Sequence, residues 1–207
     1  MSTGDNDRRT TRAHHEQPGR HEQHEQHQQQ DQHDQAAPEF DRLRIHFGMR
    51  PQESGEGTFI RQNLRDEHGT AIVALLGGDH YSALHRLDSA EVYHFYAGAP
   101  RRLLLLFPDG RIEEPVLGSD YAAGHQPQVV VPKGVWQGSR SDGPWSLTGA
   151  TMAPGFRHEG FEFPDVEELV RQYPAAERRI RDLAPRPEGV AMSRERSHRE
   201  SLPASRQ

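Results

Sequence analysis

Between residues 70 and 152 the chain repeats one short pattern, an apolar run of five to eight residues followed by a turn signal. The runs are TAIVALL (70–76), HYSALHRL (80–87), EVYHFYAG (91–98), RLLLLF (102–107), QVVVP (128–132) and WSLTGATM (145–152), broken by Gly-Gly, Asp-Ser and Gly-Ala-Pro. Pro108-Asp109-Gly110 reads as a hairpin turn leading into RIEEPVL. At this spacing the runs predict an all-β sandwich or barrel.

Helix is expected only late. Asp165 precedes VEELVRQY with Glu168 three residues on, a capping-box arrangement with Asp in place of Ser or Thr. Pro174 should end that helix, and AAERRIRDL reads as a second short one.

Residues 1–37 hold a Gln, His and Glu tract with almost nothing to bury, and are expected to form a disordered tail. The echo HEQHEQH within it could hold zinc or nickel loosely, or be a solvated tail. Residues 186–207, rich in Arg, Ser and Pro, are expected to form a second disordered tail. The domain is placed at residues 38–185, enough for one good core.

No run approaches the roughly 20 apolar residues that span a bilayer, and no apolar leader segment is visible, so a cytoplasmic protein without a membrane partner is expected. The chain has no cysteine, which removes disulfides, thiolate nucleophiles and Cys-ligated zinc. Its formal charge of −6 is modest and its basic residues are dispersed, so nucleic acid is not an expected partner. P-loop, dinucleotide-fingerprint, nucleophile-elbow and zinc-protease helix motifs are all absent.

The segment HRLDSAEVYHFYAG, residues 85–98, concentrates the chemistry. Side chains alternate faces along a strand, so Tyr81, Ala83, His85 and Leu87 share one side, and Glu91, Tyr93 and Phe95 share one side of the next run. If both sides face one lumen, His85 and Glu91 converge. A carboxylate beside an imidazole would orient it and favour its protonated form. Such a pair can exchange a proton beside a carbonyl. It can equally be a satisfied buried contact that joins two strands.

His85, Glu91 and Gly98 resemble the first motif of the cupin superfamily, and PKGVWQ (132–137) resembles the second. SALHRLDSAEVYHFYAG, PQVVVPKGVWQ and TMAPGFRHEGFEF are more closely similar to the cupin group known as domain of unknown function 985, over about residues 40–183. The resemblance implies a small cupin-type jelly-roll β-barrel, usually a homodimer, binding a small-molecule ligand in its lumen. Leu87 and Gln137 stand where the superfamily has two metal-ligating histidines. One imidazole, one carboxylate and one amide fall short of the donors iron or zinc requires. No cofactor is therefore expected. If a divalent metal is held, His85, Glu91 and Gln137 would hold it.

Some cupin-like barrels are epimerases that use a lumen histidine as base. By that analogy His85 is a catalytic base, Glu91 orients it, and Arg61 and Gln137 bind substrate oxygens. Tyr93, Phe95 and Trp136 could wall a ring-shaped ligand or simply be core. Gln128 and Gln137 suit hydroxyl-rich ligands, although Gln128 could instead satisfy strand-end backbone groups. Arg61 could equally belong to a surface ion pair. His94 and Tyr96 lie on the face opposite Glu91. Phe156, Phe161 and Phe163 are expected to seal one barrel end, with His158 exposed. The function expected is a metal-independent acid/base enzyme, epimerase- or isomerase-like, acting on a sugar- or keto-acid-like metabolite. The alternatives are a non-catalytic small-molecule-binding module and a metal-dependent enzyme with a weak site.

Overall fold

The computed structural model describes residues 39–52 and 56–186. Segments 1–37 and 187–207, which fall in the two expected tails, lie outside the described residues.

The strands are β1 (Arg50–Pro51), β2 (Glu56–Arg65), β3 (Thr70–Leu87), β4 (Glu91–Gly98), β5 (Arg101–Leu106), β6 (Ile112–Glu113), β7 (Val116–Leu117), β8 (Gln128–Val131), β9 (Trp136–Ser141), β10 (Trp145–Met152) and β11 (Phe161–Glu162). The helices are α1 (residues 39–46), α2 (Val166–Gln172) and α3 (Glu177–Asp182). All strand-to-strand ladders are antiparallel.

β3 is the spine. The sequence suggested two strands parted by Gly77-Gly78, yet the chain continues through them as one strand. Before the glycines β3 pairs with β10 and most of β2, and after them with β9, β11 and, at Tyr81, the Glu56 end of β2. The pair of glycines is thus a corner inside a strand. The β9–β10 hairpin presses on this corner: Gly78 N donates to Pro144 O at 2.7 Å, and a Cβ at 78 would lie 2.8 Å from Gly143 O. No side chain fits there. β3 therefore belongs to two layers, β1-β2-β3-β10-β4-β8 and β11-β3-β9-β5-β6.

Between the layers lies the inner core, with Tyr93, Leu103, Leu105, Leu117, Val129 and Val131 at its centre. The run of leucines in β5 looks unpatterned because both of its faces are covered. Leu103 and Leu105 point into the inner core, while Leu104 and Leu106 join a second cluster with Leu169, Tyr173 and Ile180 from the C-terminal segments. Each leucine so buried contributes about 1.5–3 kcal/mol. α2 begins as its sequence predicts, with the Asp165 side chain accepting from Glu168 N at 2.9 Å. Its far end is fixed by the Tyr173 hydroxyl, which donates to Phe107 O at 2.7 Å.

α1 corrects the expectation that helix appears only late. Phe40, Leu43 and Phe47 recur at i, i+3 and i+7, and all three pack on the outer face of the first layer around Leu75 and Leu147. The signal was present but short. Among the described residues no helix is long and apolar enough to cross a membrane.

Gly98 closes β4 with φ +87°, and a Cβ there would lie 2.5 Å from the Trp145 ring. Gly98→Ala should therefore cost at least about 1–3 kcal/mol of backbone strain alone. A urea unfolding curve should show a lowered midpoint at unchanged slope.

Candidate functional site

The barrel end nearest the β3–β4 turn opens into a cavity of about 540 Å³. Its inner wall comes from residues that alternation turns inward, Thr70 and Ile72 of β3 with Ala150 and Met152 of β10. His85 and Glu91 both line it.

The opposite side is closed by residues 155–163. Phe156 and Phe161 line the cavity, and Phe163 packs edge-on against Phe161 at 4.9 Å, in keeping with a sealing role. This strap is tied down at several points. Phe156 N donates to Thr70 Oγ1 at 3.0 Å, Asp88 N to Gly160 O at 3.0 Å, and Arg157 and Arg86 reach Asp88 and Glu162 at 2.5 and 2.7 Å. His158, expected to be exposed, instead lines the cavity and meets the Phe156 ring edge-on at 5.0 Å.

His85 is held by its backbone rather than by a carboxylate. Its Nδ1 lies 2.7 Å from Ala83 O, and because a carbonyl only accepts, Nδ1 carries the hydrogen. Among the described residues the Nε2 lone pair has no hydrogen-bond partner. The ring lies nearly parallel to Phe161, with centroids 5.0 Å apart and planes at 18°. Burial lowers the His85 pKa from 6.5 to about 4, opposed by the Ala83 bond and reinforced by the positive charge of Arg101. This corrects the expectation that Glu91 orients His85 and favours its charged form.

Glu91 has other partners. Gln137 Nε2 donates to its Oε2 at 2.8 Å, and the Tyr93 hydroxyl also bonds to it. Burial raises the Glu91 pKa, against the two hydrogen bonds and the charge of Arg101. Burial, and then the Glu91 charge, raise the pKa of Tyr93. Gln137 is 1% exposed, and its Oε1 has no donor.

Arg101 is the residue that the sequence reading missed. It is 2% exposed, with Nε donating to Ser139 Oγ and Nη1 to Thr148 Oγ1, both at 2.8 Å, and its guanidinium carbon 5.2 Å from the centre of the Tyr93 ring. The signal was its phase. Arg101 shares the alternation of Leu103 and Leu105, so it had to point into the barrel.

The other expected binding residues divide. Tyr93 is in the inner core and Phe95 packs against it. Arg61 lines the cavity, but Phe59 and Val73, its neighbours in the outward alternation, pack beneath α1, and its Nη1 donates to Phe47 O at 3.4 Å. Trp136 does not wall the lumen. It follows the opposite alternation to Gln137 and sits in the helix-covered cluster, with the Arg86 guanidinium 4.5 Å from its ring centre. Gln128 is also turned away: it is exposed and donates to His94 Nδ1 at 2.9 Å, while His94 Nε2 bonds Thr151 Oγ1 at 2.9 Å on the same outer face.

Among the described residues no three His, Cys, Asp or Glu side chains are grouped to hold a metal ion. His85, Glu91 and Gln137 supply one imidazole, one carboxyl pushed towards its neutral form and one amide. That donor set does not meet what iron or zinc requires.

A family model described as Cupin superfamily (DUF985) matches residues 13–164. A crystal structure of a protein from Shewanella oneidensis is 31% identical with a TM-score of 0.65, over 71% of this chain and 97% of that one. A hypothetical protein from Leishmania major is 24% identical with a TM-score of 0.63, over 70% and 98%, and shows the likeness of fold. No curated protein matches the chain.

The two shifted groups act oppositely on stability. Between about 6.5 and 4 the unfolded chain takes up a proton that folded His85 refuses, so stability falls as pH drops, by up to ~1.4 kcal/mol per pH unit. For Glu91, whose folded pKa lies above 4.5, stability is lost as pH rises through the folded value. NMR of the imidazole nitrogens should show His85 protonated at Nδ1 and titrating at about 4. Denaturation curves should show Glu91→Gln gaining more over the parent protein at pH 8 than at pH 4.5.

Proposed function

The chain belongs to the cupin superfamily, and from that premise we propose that its lumen binds a small polar metabolite carrying a carbonyl and moves a proton at the adjacent carbon. The observation that carries this reading is the free Nε2 of a neutral histidine at a cavity of about 540 Å³. This volume suits a small-molecule ligand.

His85 Nε2 takes the proton as the carbon–hydrogen bond breaks, and the bonding electrons pass to the carbonyl oxygen as an enolate. Glu91, in its protonated form, donates to that oxygen, with Gln137 and Tyr93 fixing the carboxyl. The burial that keeps His85 neutral also makes its imidazolium costly. The enolate formed beside it supplies the opposing charge, so the ion pair exists only while the intermediate does. Return of the proton to either face of the carbon completes an isomerase- or epimerase-like exchange. Gln137 acts through Glu91 here, rather than on the substrate oxygen assigned to it from the sequence.

A pKa near 4 also makes His85 a weak base at neutral pH, which favours a second reading, a binding module that catalyses nothing.

The test is deuterium exchange in heavy water, followed by proton NMR over a panel of keto acids and keto sugars. The enzyme reading expects exchange beside one carbonyl, with His85→Ala slowing it by about 10²–10⁴-fold, the usual worth of a general base. The melting temperature should hold nearly constant, because removing a side chain that borders the cavity enlarges space already open. Full exchange in His85→Ala would sink the assignment. Binding without any exchange would leave the binding module.

A further inference from the structure

Among the described residues the cavity is lined by three arginines, Arg50, Arg61 and Arg65, against a single acid, Glu91. Elsewhere in the fold several arginines reach carboxylates: Arg86 to Glu162, Arg102 to Asp142, Arg157 to Asp88, Arg179 to Glu114 and Arg181 to Glu167. Among the described residues Arg50 and Arg65 have no such partner. One unpaired arginine on a surface decides nothing, since exposed ion pairs are worth little. Two on one wall of a concave site raise a positive potential there that a bound anion relieves.

Register puts them on the same wall. Arg50 is the ladder partner of Ile60, and Arg65 that of Thr70, and both partners line the cavity. Gln62, opposite Ile72, also lines it and stands between them. Arg61 alternates to the other face and bonds the Phe47 carbonyl, so it is not part of this set. The five residue steps from Ile60 to Arg65 span roughly 16 Å of strand, a distance two long side chains can close from its ends.

Resting on the acid/base or binding reading of the same cavity, we propose that its ligand is a phosphate monoester of a small carbonyl compound. The phosphate lies against Arg50, Gln62 and Arg65, and the carbon body runs inward past Phe156 and Phe161 to His85. A carboxylate brings one charge and two oxygens. A phosphate monoester brings nearly two charges and three strong acceptors, matching two guanidinium groups with an amide between them. The aromatic strap and Met152 leave the inner end suited to carbon.

The test uses the full chain and three probes of similar body: phenyl phosphate, benzoate and benzyl alcohol, titrated by calorimetry at low and high salt. Phenyl phosphate should bind at least tenfold more tightly than either of the others and weaken as salt screens the contact. Arg50→Gln and Arg65→Gln should each weaken it at least fivefold. Arg178→Gln, on the exposed face of α3, serves as a charge-matched control and should leave it unchanged. Equal binding of phenyl phosphate and benzoate, or undiminished binding in both wall variants, overturns the proposal. Failure of the acid/base reading looks different: phosphate-selective binding with no deuterium exchange on phosphorylated keto compounds retains the anion wall and removes the chemistry. Exchange on uncharged keto compounds with no preference for phosphate does the reverse.

Discussion

A single strand, β3, has to serve both layers of the barrel, and the site inherits its geometry from that constraint. The strand turns its corner at Gly77 and Gly78, where the β9–β10 hairpin meets the bare backbone of Gly78. Past the corner, β3 changes partners from β10 to β9, which brings His85 opposite Gln137. Before it, the pairing with β10 turns Thr70, Ile72, Ala150 and Met152 onto the cavity wall. A side chain at the corner would displace the hairpin, and with it the strand that carries the partner of Glu91.

Inside the barrel, electrostatics works without a direct ion pair. Arg101 is bonded to two hydroxyls and lies near an aromatic ring, while Glu91 takes its hydrogen bonds from an amide and a phenol. Burying two charges in contact would carry a desolvation cost that their attraction need not recover. Spacing them lets the carboxyl drift towards neutrality while the guanidinium stays charged. The same positive charge helps to hold His85 neutral. One unanticipated arginine thus acts on the protonation of both groups at the inner end of the cavity.

At the opposite wall the logic is reversed. The strap is held by short, exposed ion pairs, Arg157 to Asp88 and Arg86 to Glu162, individually weak but placed at both ends of the segment. They leave the apolar faces of Phe156 and Phe161 for the cavity. The two arginines of the cavity wall are left unneutralised among the described residues, so the site presents carbon at one side and positive charge at the other.

Much of this was legible in the chain. The apolar runs gave β4 and β10 with their observed bounds, the Asp165 cap gave the start of α2, and alternation gave the strand faces on which His85 and Glu91 sit. Even Arg101 was readable from its phase with Leu103 and Leu105. These are local properties, set by backbone geometry within one element. Tertiary structure alone decided that His85 bonds Ala83 O while Glu91 bonds Gln137, that Trp136 lies beneath the helices, and that Gln128 meets His94 on the outer face. The reason is register. The partner of a strand residue depends on how segments tens of residues apart slide against one another, and on which face a covering helix claims, and neither is written in the alternation of any one segment.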